Sequence, residues 1–245
     1  MLFFPDMRKR YPFRFASLEE RKIFYAKEFS IGRIKEWFRK HGMPLPQICA
    51  LDAGTESSVL IKRNWKNTLF YFPFTELREK IKKYLPEDIY YDRCEYLNPR
   101  KVLAELIFPK PLPQELVFDI DADNIPCSHI DSQEVCMVCL RKAWSYSLAL
   151  KRELEKKFHK VHLVYSGRGF HVHVADKKAY GLSVDERSEL NRIFKKFPID
   201  PWVSGGNIRL IRIPYTLHGG VSRIVLPITV QRSLSLKQSI PKFLR

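Results

Sequence analysis

Hydrophobic and polar positions alternate along Leu116-Val-Phe-Asp-Ile-Asp-Ala-Asp123 with the two-residue period of a β-strand. Leu116, Phe118 and Ile120 share one face, and Val117, Asp119 and Asp121 share the other. Two residues of strand set the aspartate Cα atoms roughly 6.5–7 Å apart on the same side. At that spacing two carboxylates can converge on one cation or a cation pair, and they repel each other without one. An apolar face for a core and a doubly acidic face elsewhere point to a divalent metal.

The same reading orders the rest of the chain. Residues 1–48 read as helical and basic. Ser17-Leu-Glu-Glu starts a helix, with Ser17 as its cap and Glu20 at the third position. Ile31, Ile34, Trp37 and Phe38 recur at helical spacing as a core-facing stripe, ended by Gly42, Pro44 and Pro46. Ile48–Asp52 and Ser58–Arg63 read as a hairpin around Gly54, Glu76–Tyr84 as a helix closed by Pro86, and Ile89-Tyr-Tyr as a strand. A basic helix is expected over 140–158, and a hairpin over Val161–Val174 with Ser166-Gly-Arg-Gly169 as its turn. A helix over 184–197 and an apolar strand, Ile224–Val230, follow, and Pro227 assigns that strand to a sheet edge. No repeat, low-complexity tract or obvious interdomain linker appears, and the length suits one large domain or two small ones.

Composition narrows the partners. The 245 residues include 43 lysines and arginines against 27 aspartates and glutamates, a net +16. An ion-pair-rich surface would raise both signs together, so a one-sided excess points to a polyanion. No run of eighteen apolar residues is present, and the start lacks a secretory pattern, so no membrane partner is expected. Three of the five cysteines lie within thirteen residues. Together with His129 they form Cys127-x-His129-x6-Cys136-x2-Cys139. Four such ligands suit a closed, structural zinc site; the alternative is accidental clustering with His129 simply exposed. Cys49 and Cys94 read as small buried residues.

In the predicted glycine-rich turn, bare N–H groups can cradle a phosphate, and Arg168 adds a fork suited to its oxygens. His171 and His173 share one strand face. Alone, such a turn is a weak signal, and a strand histidine is more often structural. Arg209 and Arg212 share a face on a helical turn but not on a strand, and Leu217-His-Gly-Gly220 is a turn able to bring His218 back towards them. Asp200 reads equally as a turn residue, and Arg63 and Tyr90 weigh no more as substrate contacts than as ordinary strand residues.

The order of these motifs over residues 88–226 resembles the small catalytic subunit of archaeal and eukaryotic replicative DNA primases. The motifs are Phe-Asp-Ile-Asp-Ala-Asp, the cysteine/histidine cluster, Ser-Gly-Arg-Gly-Phe-His, and an aspartate ahead of Arg-Leu-Ile-Arg-Ile-Pro-x-x-Leu-His-Gly. The resemblance implies a single catalytic domain over 1–245 of mixed α/β (α+β) class, the primase catalytic fold with an RRM-like sheet and an attached zinc module at about 124–142. It implies Mg2+ or Mn2+ at Asp119, Asp121 and Asp200, and nucleotide held by Ser166, Arg168, His171, Arg212 and His218. It further implies zinc at Cys127, His129, Cys136 and Cys139. Implied partners are a large subunit bearing an iron–sulphur cluster, single-stranded DNA template, and NTPs with dNTPs as a second substrate class. The implied compartment is the cytoplasm of an archaeal-type cell or a eukaryotic nucleus. Only 26 residues separate His173 from Asp200, so no large helical insertion is expected between 174 and 199. A primase-polymerase or repair polymerase of the same superfamily is the near alternative. A non-catalytic zinc-containing single-strand-binding module is the distant one.

Overall fold

The computed structural model describes residues 11–54, 69–109, 113–128, 135–229 and 236–245. Helix α1 (Leu18–Lys27) starts as its sequence requires. The Ser17 hydroxyl accepts the Glu20 N–H, and the Glu20 carboxylate accepts the Ser17 N–H. Helix α2 (Ile31–His41) buries Ile34, Trp37 and Phe38 and ends at Gly42 in the left-handed region. Strands β1 (Ile48–Asp52) and β2 (Phe70–Pro73), helix α3 (Leu77–Tyr84), strand β3 (Asp88–Asp92) and helix α4 (Pro99–Glu105) follow. Next come β4 (Leu116–Asp121), α5 (Met137–Glu155), β5 (Val161–Tyr165), β6 (Gly169–Val174), α6 (Lys177–Tyr180), α7 (Val184–Ile193) and α8 (Pro201–Ser204). The chain then forms β7 (Leu210–Arg212), β8 (Leu217–His218), β9 (Arg223–Ile224) and β10 (Leu226–Ile228).

Two compact units emerge. The first comprises Met1–Lys110, Leu210–Leu226 and Gln231–Arg245, and the second Pro111–Arg209 and Pro227–Val230. In the first unit an antiparallel sheet has the order β2-β1-β3-β7. Ile48, Cys94, Tyr96 and Val102 form a buried cluster there, with Tyr71, Leu103 and Phe108 packed against it. In the second unit the sheet order is β10-β5-β6-β4. One face of β4 and β6 presents Phe118 to Phe194, with ring centroids 5.7 Å apart, and Phe170 to Trp144 of α5, 5.3 Å apart. The acidic and histidine positions lie on the other face. Pro227 sits in the edge strand β10, where its missing N–H is tolerated.

The fold is mixed α/β with antiparallel sheets, as the resemblance implied. Several boundaries move. Ser58–Arg63, including Arg63, lie outside the described residues; the described neighbours of β1 are β2 and β3. The helix expected over 184–197 stops at Ile193, and that over 140–158 runs instead from Met137 to Glu155. The single strand expected at Ile224–Val230 is divided because the chain changes partners. Arg223 and Ile224 pair with β8, Val225 bonds both ways to Thr216 and Tyr215, and β10 then joins β5. Helix α4 is an addition to the expected elements; Asn98 caps it and Pro99 opens it.

Candidate active site

The register of β4 against β6 builds the acidic half of the site. Asp119 lies opposite His171 and Asp121 opposite Gly169. The Asp119 and Asp121 side chains keep 22% and 20% of their surface in solvent, whereas Phe118 and Ile120 keep none. His171 is buried, with Nε2 3.8 Å from Asp119 Oδ1. The third aspartate arrives through the backbone: the Asp200 N–H donates to the Asp119 carbonyl at 2.9 Å. Asp200 then opens α8, its Oδ1 accepting the Trp202 N–H at 2.8 Å.

The glycine-rich turn uses its two glycines differently. Gly167 has φ 113°, a conformation that side chains rarely adopt. Gly169 is needed for closeness: a Cβ there would lie 2.3 Å from the Ile120 carbonyl oxygen and 2.6 Å from Asp121 Cα. Ser166 closes the turn, its N–H donating to the Gly169 carbonyl at 3.0 Å and its hydroxyl accepting the Gly169 N–H at 3.1 Å. Arg168 reaches Asp121 at 3.1 Å and Asp123 at 3.0 Å while staying 40% exposed. Burial, and then repulsion from Asp121, raise the Asp123 carboxyl despite Arg168. Asp121 and Asp123 therefore share one guanidinium, and Asp119 adds a further carboxylate on the same strand face as Asp121, a surplus of hard oxygen donors of the kind that holds a divalent cation.

Arg212 and His218 meet in the first unit, on a residue the sequence did not single out. Asp88 Oδ1 accepts Arg212 Nε at 3.1 Å and His218 Nδ1 at 2.9 Å. Burial pushes the Asp88 carboxyl up, but the neighbouring Arg212 and His218 overcome it and hold it well below the usual carboxylate range. Tyr90 stands opposite Arg212 across the β3–β7 pair, with its hydroxyl 3.4 Å from Nη2. Gly219 makes the junction possible. Its N–H donates to the Glu87 carbonyl at 2.9 Å, and a Cβ there would lie 2.4 Å from Glu87 Cγ and 2.8 Å from that oxygen. Arg209 and Arg212 do not share a face, because the second lies in a strand that begins after the first. A second unread contact joins buried Glu115 to buried His173, Oε1 to Nδ1 at 2.8 Å, on the β4–β6 face that carries the aspartates.

Cys127, Cys136 and Cys139 come together with all three sulfur atoms within 4.8 Å of one another. Cys136 stands at the N-cap of α5 and Cys139 in its first turn, while Cys127 is exposed. His129 lies outside the described residues. Burial, then the thiols of Cys127 and Cys136, push the Cys139 thiol up to about 12. Crowded thiols that resist ionisation alone fit a site completed by a cation. Among the described residues no helix is long and apolar enough to cross a membrane.

The sequence profile of the DNA primase small subunit family matches residues 118–201. A DNA primase small subunit-like protein of Archaeoglobus fulgidus, itself uncharacterized, is 34% identical over 97% of this chain and 95% of its own length. The DNA primase small subunit PriS of Pyrococcus abyssi is 32% identical over 69% of this chain, but only 46% of its own length is covered. The chain thus spans about half the length of that PriS relative. Among solved structures, the polymerase domain from Mycobacterium tuberculosis ligase D, in complex with DNA, aligns with 91% of this chain and 86% of its own. It does so at 14% identity and a TM-score of 0.47. This chain belongs to the DNA primase small subunit family.

Proposed function

We propose that this chain is a primase catalytic subunit that joins NTPs, and dNTPs as a second class, into short primers on a single-stranded DNA template. The observation that carries this reading is the β4–β6 register. It sets Asp119 and Asp121 on one face and lays Arg168 beside Asp121, while a separate main-chain bond ties Asp200 to Asp119. Asp119, Asp121 and Asp200 would hold Mg2+ or Mn2+, which when bound activates a 3′-hydroxyl and neutralises charge on the leaving pyrophosphate.

The remaining work falls to the chain's own groups. Arg168, partly exposed, exchanges its carboxylate partners for phosphate oxygens and holds the triphosphate in line. Ser166 and the glycines on either side of Arg168 keep the turn backbone free to approach those oxygens. His171, 3.8 Å from Asp119, donates to a phosphate oxygen. Arg212 and His218 bind phosphate. Ionised Asp88 fixes the guanidinium plane of Arg212 and holds the His218 ring through Nδ1. Zinc at Cys127, Cys136 and Cys139, with His129 as fourth ligand, is structural. The +16 charge supports template binding through phosphates without sequence reading, and a primase large subunit is the expected protein partner.

The test uses unprimed single-stranded DNA, labelled NTPs and Mg2+ or Mn2+, with the double variant Asp119→Ala, Asp121→Ala alongside. Short products that vanish in the double variant are expected. Products that persist in it refute the assignment of the carboxylates. Silence of the parent protein, both on unprimed DNA and with a pre-made primer, refutes the enzymatic reading.

A further inference from the structure

Trp202 is the one large aromatic side chain in the second unit that is more than half exposed among the described residues, at 63%. A single exposed apolar residue is unremarked on most proteins; its location gives this one meaning. Its backbone N–H donates to Asp200 Oδ1 at 2.8 Å, so the indole is borne by the residue that touches the third carboxylate. The segment is also firmly held. The Trp202 carbonyl accepts the N–H groups of Asn207 and Ile208, both at 3.0 Å. Asn191 Nδ2 donates to the Pro201 carbonyl at 3.2 Å, and Val203 and Ser204, the next two residues, are buried. A rigid mount that presents a flat ring to water, with exposed Ile208 bonded to the same carbonyl, is the form of a stacking platform.

We infer that Trp202 stacks on a nucleobase of single-stranded nucleic acid bound at the acidic strand, and is a substrate-positioning residue of this chain. The inference rests on the nucleotidyl-transfer reading above. A nucleotide bound beside Asp200 carries its base one sugar away from its phosphate, and the indole is attached two residues along the chain from that carboxylate. Stacking tolerates any base, which matches a template bound through its backbone charge.

The experiment titrates the full chain with a labelled oligo(dT) over a range of KCl concentrations, comparing the parent with Trp202→Ala and Trp202→Phe. Indole emission is followed in parallel. Of the other three tryptophans, Trp37 and Trp144 are buried and Trp65 lies outside the described residues, so every sample carries Trp65→Phe, and a DNA-induced quench that disappears in Trp202→Phe then reports this side chain. Trp202→Ala is expected to weaken binding about 5- to 100-fold with an unchanged slope of log affinity against log salt, because no phosphate contact is lost. Trp202→Phe restores most of the affinity. Equal affinity of parent and Trp202→Ala, or a quench that survives in Trp202→Phe, overturns the inference and leaves the indole to a protein partner. Asp119→Asn separates the two readings: it should abolish synthesis while oligo(dT) binding and the Trp202 quench remain. Retained synthesis in that variant would overturn the nucleotidyl-transfer reading, whereas the Trp202 result would still stand on the quench and the titration.

Discussion

Replacing Gly169 by alanine tests whether close approach of β6 to β4 is what aims the carboxylates. The added methyl would stand 2.3 Å from the Ile120 carbonyl oxygen and 2.6 Å from Asp121 Cα. Ordinary contact begins near 3.4 Å, so one strand must yield by about 1 Å, and both obstacles are main chain. Overpacking of this kind costs about 1–3 kcal/mol of stability, which is survivable in a domain of this size. The larger effect falls on chemistry. The displaced residue is Asp121 itself, and a misplacement of about 1 Å in a reacting constellation costs on the order of 100-fold in rate. Primer extension on a recessed template should therefore fall about 100-fold, while oligo(dT) affinity, set by charge and stacking, changes less than about threefold. The thermal midpoint, followed by circular dichroism, should show a modest fall with a single transition. Extension within twofold of the parent, from a variant whose melting confirms the substitution is strained, would refute the argument that strand contact positions Asp121.

Two further outcomes follow from particular residues. Asp88 has a depressed folded-state pKa, so its stabilisation is complete above the unfolded value of about 3.9 and is lost as pH falls below it. Urea midpoints measured from pH 7 to pH 3 should show this loss in the parent. Asp88→Asn should be less stable at pH 7 by about 3 kcal/mol, having left Arg212 without its counter-charge, and should show a flatter acid limb; a parallel acid limb would refute the linkage. Zinc content by plasma emission should be one per chain, and chelation should lower the thermal midpoint. The double variant Cys136→Ser, Cys139→Ser should hold no zinc and melt at the chelated value, and stoichiometric zinc in it would refute the cysteine assignment.

The parts of this molecule that sequence alone revealed are those with a local cause. The acidic strand was legible because a period of two and an isolated pair of carboxylates occupy six consecutive residues. The Val161–Val174 hairpin was legible because its turn needs Gly167, and the first helix because Ser17 and Glu20 cap it reciprocally. Asp88 was not legible. It follows Pro86-Glu87 at what reads as a helix end, and its partner Arg212 is 124 residues away. Glu115 was hidden for a related reason: the strand pairing that buries it against His173 joins positions 58 residues apart. The arginine pair could not be decided without knowing whether Arg209–Arg212 coils or extends, and β7 settles that by pairing with β3.

The second unit is spliced into the first, since the chain leaves the first unit at Lys110 and returns at Leu210. This sets an order of birth on the ribosome. Residues 111–209 are contiguous and can collapse as soon as they emerge, with the acidic strand pairing to a neighbour made about fifty residues later. The first unit must wait. Strand β3 stays without β7, and Asp88 without Arg212 and His218, until residues 111–209 have been synthesised. During that interval β3 is an open edge carrying Ile89 and Tyr91, a stretch exposed to wrong partners and a natural place for a chaperone to act.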